Sequence, residues 1–128
     1  MPYSLQAHPS LIEVTIQDEV TLDMLLQYWR EFAELEASSD VCRNVLTEFR
    51  GIQGWHLDSA EMRHFAALRT RMTLKNHVKS AIVATRDVDF GMARMFELAL
   101  QNPAIEVRVF RDMLSARQWL YEIVVAEG

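Results

Sequence analysis

Apolar runs and amphipathic segments alternate along the second half of the chain. The run from Val78 to Thr85 predicts a buried strand, and its centre, Ala81-Ile82-Val83-Ala84, is apolar on both faces, as expected in the middle of a sheet. An amphipathic segment from Phe90 to Gln101 follows, then a strand pattern from Ile105 to Phe110 and a helix capped by Asp112. Because strands that alternate with single helices form parallel sheets, this half of the chain predicts an α/β fold.

The chain begins with a predicted hairpin and a helix. Two β-type stretches, Tyr3 to Ala7 and Leu11 to Gln17, flank the turn-like tripeptide His8-Pro9-Ser10. Thr21 is positioned to cap a helix that continues to about Ala37. The apolar residues of this helix form a stripe with a second ridge beside it, which favours deep burial over a dimer face or a pocket wall.

A strand, a loop and a second helix are predicted next. Asn44 to Phe49 has the strand pattern, and the two glycines between Arg50 and His56 suggest a loop with tight turns. Asp58 and Glu61 have the spacing of a capping box, in which each side chain bonds to the other residue's backbone N–H. The segment Lys75-Asn76-His77 is the expected end of this helix.

Charged residues in the last strand indicate that one face of the sheet meets solvent. Ile105, Val107 and Val109 alternate with Glu106 and Arg108. A sheet covered by helices on both faces would lack such charges in its flanking strands. We therefore predict a single α/β domain over all 128 residues. It has an N-terminal hairpin, a mostly parallel sheet of four or five strands, and four helices mainly on one face.

Composition narrows the classes of partner. The chain has 13 Lys and Arg against 18 Asp and Glu, and this net charge of −5 disfavours nucleic acid. Neither a membrane span nor a signal peptide is recognisable, so we expect a cytoplasmic protein. Cys42 is the only cysteine, which leaves no internal disulfide and no thiolate zinc site. We expect no cofactor and no metal ion.

Three segments carry a family resemblance that covers almost the whole chain. They are Ala81-Ile82-Val83-Ala84, the block from Phe90 to Phe96, and the stretch from Glu106 to Asp112 that leads to Trp119-Leu120. With the order of elements, they resemble the STAS fold of anti-sigma-factor antagonists, and within it the SpoIIAA-like branch, which is also compared with CRAL-TRIO lipid-binding domains. The resemblance implies a regulatory or protein-interaction module without enzymatic activity.

The chain departs from this family at the regulatory serine. Phosphorylatable members have Asp-Ser-Ser-Gly before the second helix, and the second serine accepts phosphate from a partner kinase. The matching tetrad here is Asp58-Ser59-Ala60-Glu61, with Ala60 at the acceptor position. We therefore expect the phosphorylation switch to be lost. Ser59 is interpreted as a solvated or capping residue, because it is the first residue of a capped helix. A phosphate there would also lie beside two carboxylates.

Polar residues at the predicted carboxyl ends of the strands are the candidates for a ligand or partner loop, because open α/β sheets bind ligands there. Most have a structural explanation: Asp58 belongs to the capping box, and one of Asp87 and Asp89 is expected to cap the third helix. A hydrolytic or phosphotransfer enzyme that uses His56 with Asp58 or Asp87 is the weakest alternative. The candidates are Trp55, His56, Asp58, Ser59, Asp87 and Asp89.

Methionine and aromatic residues of the first and third helices are candidates for an apolar pocket. They are interpreted first as core, and alternatively as the walls of a site between these helices and the sheet. In the second case the protein is a carrier or sensor of a small apolar or lipid-like ligand. Gly91 in the third helix suggests close approach of a neighbour or ligand. The pocket candidates are Met24, Trp29, Phe32, Phe90, Met92, Met95 and Phe96.

A homodimer is expected, because the opening hairpin offers an unpaired strand edge and the first helix has surplus apolar area.

Overall fold

A computed structural model describes residues 2–122 as a five-stranded sheet with four helices. The order of elements is the one that the hydrophobic pattern predicts. The strands are β1 (Tyr3–Ala7), β2 (Leu11–Thr21), β3 (Asn44–His56), β4 (Val78–Ala84) and β5 (Ile105–Phe110), and the helices are α1 (Leu22–Ala37), α2 (Ser59–Thr70), α3 (Asp87–Ala99) and α4 (Met113–Leu120).

The sheet order explains where the helices lie. The strands lie side by side in chain order, with β1 antiparallel to β2 and all other pairs parallel. Parallel crossovers are right-handed in nearly all proteins, and each one here moves the chain one strand further in the same direction, which places α1, α2 and α3 on the same face. Side chains of all three helices accordingly share one apolar cluster. The predicted mixed sheet with most helices on one face is therefore confirmed.

Alternate residues of the central strands pack against helices on opposite faces of the sheet. Ile12, Val14 and Val45 belong to the cluster that packs against α1, α2 and α3. Their chain neighbours on the other face, including Leu11 and Leu46, pack against α4. Because successive side chains of a strand point to opposite faces, the sheet packs against α1, α2 and α3 on one face and against α4 on the other.

β2 and β3 are longer than the sequence pattern indicates. The segment from Arg50 to His56, predicted as a loop, is the second half of β3, and it pairs with β2 as far as Thr21 and His56. The ladder continues past irregularities at Asp18, which has φ of 62°. Gly51, with φ of 63°, lies within the strand instead of a turn. Glycine suggested a loop because it tolerates positive φ, but bulges in strands use the same conformation.

Two helices differ from their predicted bounds. α2 ends at Thr70, so the segment from Lys75 to His77 lies outside it, and the Asn76 side chain there bonds to the backbone N–H and C=O of Cys42 at 2.7 and 2.9 Å. α3 begins at Asp87 instead of Phe90, and its N-cap residue, Arg86, makes no side-chain capping bond. The prediction that Asp87 or Asp89 caps α3 is therefore wrong, because both lie in its first turn.

The other predicted helix starts are confirmed by their hydrogen bonds. The side chains of Thr21 and Asp112 accept from the backbone N–H groups three residues later, at 3.1 and 2.8 Å. The capping box of Asp58 and Glu61 has both of its bonds, at 2.8 and 3.0 Å. The helical spacing that follows Asp112 also predicts Ile123 on the inner face of α4, and this residue lies outside the described residues. Within residues 2–122, no helix has the length and apolar character needed to cross a membrane.

Candidate functional site

A cavity lies between the sheet and the three helices that cover it. Its volume is about 80 Å³ and it is partly open to solvent. Four elements contribute aromatic rings to its wall, and the sheet forms its floor. The lining residues are Ile16, Leu25, Tyr28, Trp29, Phe32, Val45, Thr47, Phe49, Trp55, Met62, Phe65, Arg69, Ser80, Ile82, Met92 and Phe96.

The aromatic residues of the wall pack against one another, both within one helix and between neighbouring helices. Trp29 and Phe32 of α1 stack with ring centroids 6.0 Å apart and an interplanar angle of 22°. Phe65 of α2 meets Phe96 of α3 at 5.8 Å. Such pairs are each worth roughly 1 kcal/mol beyond their buried area, so the wall is held in place without a ligand.

The floor of the cavity includes two hydroxyl groups among apolar neighbours. Thr47 of β3 and Ser80 of β4 point to the same face as Val45 and Ile82, as the strand register requires. Thr47 is buried, with 9% of its surface exposed, whereas Ser80 is half-buried. No side-chain hydrogen bond to another residue of the described chain is found for either hydroxyl.

Glu36 and Arg69 form a buried ion pair beside the cavity. Nη1 and Nη2 of Arg69 donate to the two carboxylate oxygens of Glu36 at 2.6 and 3.0 Å, and the guanidinium lies 5.0 Å from the centre of the Phe32 ring. The pair joins the last turns of α1 and α2. Burial raises the pKa of the neighbouring Tyr28 hydroxyl, an effect that Arg69 opposes and Glu36 reinforces. Tyr28 is therefore neutral across the physiological range.

The predicted pocket residues divide between the cavity wall and other parts of the core. Trp29, Phe32, Met92 and Phe96 line the cavity. Met24 is buried and Met95 half-buried in the same core cluster, but neither lines the cavity. Phe90 packs with Ala93 and lies under the guanidinium of Arg111 at 4.0 Å. The cavity also differs from the predicted site by including α2, through Met62, Phe65 and Arg69.

Trp55 and Asp89 connect the cavity to the carboxyl end of the sheet. The indole N–H of Trp55 donates to Oδ1 of Asp89 at 2.8 Å, and the same carboxylate accepts from Nε and Nη2 of Arg86 at 2.8 and 3.0 Å. Asp89 raises the pKa of Arg86, chiefly through these hydrogen bonds. Asp89 is 2% exposed, and its lone pairs are engaged in holding β3 to α3.

The other candidates at this edge have separate partners. His56 contacts Glu19 on β2, Asp58 forms its capping box, and Asp87 pairs with Arg111 at 2.6 Å. Ser59 is exposed at the first position of α2. Across residues 2–122, no group of three or more His, Cys, Asp or Glu side chains is arranged to hold a metal ion.

The polar residues in and beside the cavity were missed by the sequence analysis, although the helical spacing contained a signal for two of them. Glu36 continues the apolar stripe of Leu25, Trp29 and Phe32, and Arg69 continues a similar stripe on α2. A carboxylate and a guanidinium on the core faces of successive helices predict a buried pair, since an unpaired buried charge is costly. The strand pattern alone could not identify the hydroxyls.

Comparison with a solved structure identifies the architecture. An uncharacterised protein of the DUF3478 family from Shewanella loihica PV-4, described as having a SpoIIAA-like fold, superposes with a TM-score of 0.60. The alignment covers 92% of this chain and 91% of that chain, at 13% sequence identity. The fold is SpoIIAA-like.

The SpoIIAA-like resemblance predicted from the sequence is thus confirmed at the level of architecture. No protein-family model matches the sequence. None of the curated proteins is significantly similar to it. An identity of 13% concerns the fold alone, so arguments about the function of this SpoIIAA-like chain must come from its own cavity and polar residues.

Proposed function

We propose that the protein is a non-enzymatic binding module that holds a small apolar ligand in the cavity between the sheet, α1, α2 and α3. The observation that carries this proposal is the aromatic cavity itself. Trp29, Phe32, Phe65 and Phe96 surround a space that opens to solvent and is lined by one ionic residue, Arg69, among the described residues. Sites for small molecules have this form: concave, mostly apolar, with a few polar groups.

The size of the cavity limits the ligand. Its volume of about 80 Å³ is roughly half that of an engineered cavity of about 150 Å³ that takes up benzene. A single ring or a short branched chain therefore fits if part of it remains at the open side or if Met92 yields. Methionine suits that role because its side chain is unbranched and adaptable. A long acyl chain would have to extend into solvent.

The absence of enzymatic activity is part of the proposal. Each carboxylate of the rim has a structural partner, with Asp58 in a capping box, Asp87 on Arg111 and Asp89 on Trp55 and Arg86. His56 contacts Glu19 on the exposed surface. These contacts favour roles in holding elements together over acid–base chemistry with a shared substrate.

A regulatory role through a protein partner is the second candidate, and the start of α2 favours a form of it without phosphorylation. Ala60 stands at the position of the acceptor serine, and the carboxylates of Asp58 and Glu61 bond to backbone N–H groups on either side of Ser59. Phosphate on Ser59 would meet both negative charges. A partner would then respond to ligand occupancy of the cavity instead of to a kinase. Phosphate found on Ser59 after incubation with a kinase-containing lysate would contradict this.

Native mass spectrometry of the freshly purified protein tests the binding proposal. We expect a retained small molecule that is lost in Met92→Gln and kept in Met95→Gln. The two methionines lie on the same helix and are both half-buried, but only Met92 lines the cavity. A bare protein mass, or equal loss in both variants, would contradict the proposal. Light scattering on the same samples tests the predicted homodimer.

A further inference from the structure

Thr47 places a hydroxyl on the cavity floor that has no side-chain hydrogen-bond partner among the described residues. The exposed fraction of the residue is 9%. The hydroxyl oxygen is not fully enclosed, so it can bond to water or to a ligand atom in the cavity. Thr47 therefore offers a hydrogen bond to a polar group that enters the cavity.

Ser80 offers a second hydroxyl to the same space. It lies on the neighbouring strand β4, paired with Val45 in the strand register, and it lines the same cavity. Thr47 is paired with Ile82, which is two residues further along β4 than Ser80. Strand spacing places the two positions about 8 Å apart. An oxygen of a ligand that lies between the two positions can bond to both hydroxyls, each at one hydrogen-bond length. Each can donate or accept, so they suit an oxygen that is itself a hydroxyl or a carbonyl.

The charge of the cavity decides what kind of oxygen this is. Arg69 is the one ionic residue of the lining within the described chain, and both of its terminal nitrogens already bond to Glu36. The pair is neutral overall, and its members are 4% and 6% exposed. A ligand carboxylate would bring an uncompensated negative charge into an apolar space, which costs far more than a hydroxyl does.

We infer that the ligand is a small neutral molecule with a ring-sized apolar body and one hydroxyl or carbonyl oxygen, and that this oxygen bonds to the hydroxyls of Thr47 and Ser80. This inference rests on the proposed function. It adds that the cavity favours ligands with a single neutral hydrogen-bonding oxygen over ligands that are entirely apolar. The apolar body lies against the aromatic residues, and the oxygen sets its orientation on the sheet.

Phenol, toluene and benzoate are the probes that test this inference. Toluene replaces the hydroxyl of phenol with a methyl group, and benzoate replaces it with a charge. Binding is followed by NMR of the indole N–H groups, because Trp29 and Trp55 line the cavity whereas Trp119 packs on the other face of the sheet. The Trp119 signal is therefore an internal reference within each titration.

The decisive comparison is between Thr47→Val and Thr15→Val. Both remove one hydroxyl from a strand, but Thr15 faces the opposite side of the sheet from the cavity. We expect Thr47→Val to weaken phenol by about three- to tenfold, as loss of one hydrogen bond does, and to leave toluene unchanged or tighter. Thr15→Val should change neither. Ser80→Ala should weaken phenol in the same direction, and benzoate should bind more weakly than phenol to the parent protein.

The outcomes separate the inference from the proposed function. If both probes bind but Thr47→Val and Ser80→Ala leave phenol unchanged, the cavity binds ligands and the polar contact is refuted. If benzoate binds more tightly than phenol, the preference for a neutral ligand is refuted. If no probe shifts the Trp29 or Trp55 signals at millimolar concentration, both the inference and the proposed function fail.

Discussion

Arg69 of α2 and Glu36 of α1 form a two-pronged ion pair, with N···O distances of 2.6 and 3.0 Å, inside the largest core of the protein. Burying two charges costs several kcal/mol per ion, and the attraction between them offsets that cost only when both partners are present. The pair therefore works mainly as a constraint on how α1 and α2 pack. It also holds the guanidinium over Phe32 at the edge of the cavity.

Removing one member of this pair should be far more damaging than removing both. We expect Arg69→Met or Glu36→Leu alone to lower the free energy of unfolding by about 3–5 kcal/mol, because each leaves a buried charge without a partner. The double variant should recover most of this loss. Urea unfolding of the four proteins provides the measurement as a double-mutant cycle. Strictly additive losses would show that the charges do not depend on each other.

Asp89 should be the most important carboxylate at the carboxyl end of the sheet. Asp89→Ala leaves the half-buried Trp55 and the Arg86 guanidinium without the acceptor of their N–H groups, so we expect a loss of about 2–4 kcal/mol. Asp87→Asn is the matched control in the same turn of α3. The Asp87 side chain is 96% exposed, so its pair with Arg111 should contribute less than about 1 kcal/mol. Similar losses in the two variants would refute a structural role for Asp89.

Gly91 offers a simple way to stabilise the protein. It lies inside α3, and a β-carbon there would meet no atom within 4 Å, so the close approach predicted from the sequence is absent. We expect Gly91→Ala to raise the free energy of unfolding by about 0.5–1 kcal/mol, because alanine loses less backbone entropy in a helix.

Gly51→Ala is the contrasting control for this prediction. A β-carbon at Gly51 also has open space, but φ there is 63°, which strains an alanine by about 1–2 kcal/mol. Thermal or urea unfolding should therefore move in opposite directions for the two variants. A loss of stability in Gly91→Ala would point to a packing role that the structure does not contain.

Asp112 should make part of the stability depend on acid pH. The backbone N–H and the hydroxyl of Ser115 both donate to this carboxylate and lower its pKa below the usual value. A lowered pKa in the folded state means that the stabilisation is present above the unfolded pKa of about 4 and is lost as the pH falls below it. We expect the urea midpoint of the parent protein to exceed that of Asp112→Asn at pH 7.

The difference between these two proteins should begin to shrink below about pH 4, where the aspartate of the unfolded chain takes up a proton, and should go on shrinking down to the lower pKa of the folded state. Carboxylates elsewhere titrate in both proteins and cancel in the comparison. A difference that stays constant between pH 7 and pH 3 would mean that the charged form of Asp112 contributes nothing to the cap.

Helix starts were predictable from short sequence patterns because a cap is a local interaction. Thr21, Asp58 and Asp112 each bond to a backbone N–H three residues away, so the chemistry lies within one turn. The end of α2 and the length of β3 were not predictable, because they depend on contacts between residues that are distant in sequence. Asn76 holds the backbone of Cys42, and the second half of β3 is a strand because β2 pairs with it.

The candidate site divides in the same way. Trp29, Phe32, Met92 and Phe96 were recognisable as inward-facing residues from helical spacing, although spacing could not separate a cavity wall from filled core. Met95 lies in that core beside Met92 without lining the cavity. The rotation of α3 against the sheet makes this distinction, and it depends on all the side chains between them.

The order of strands and helices, the two-sided burial of β4 and the caps of α1, α2 and α4 follow from the amino-acid sequence alone, because periodicity and capping act over one or two turns of chain. Only the tertiary structure decided that Glu36 meets Arg69, that Trp55 meets Asp89, and that Thr47 faces a cavity. Each of the two pairings joins residues more than thirty positions apart. Their geometry comes from packing three helices against one sheet, which no local pattern encodes.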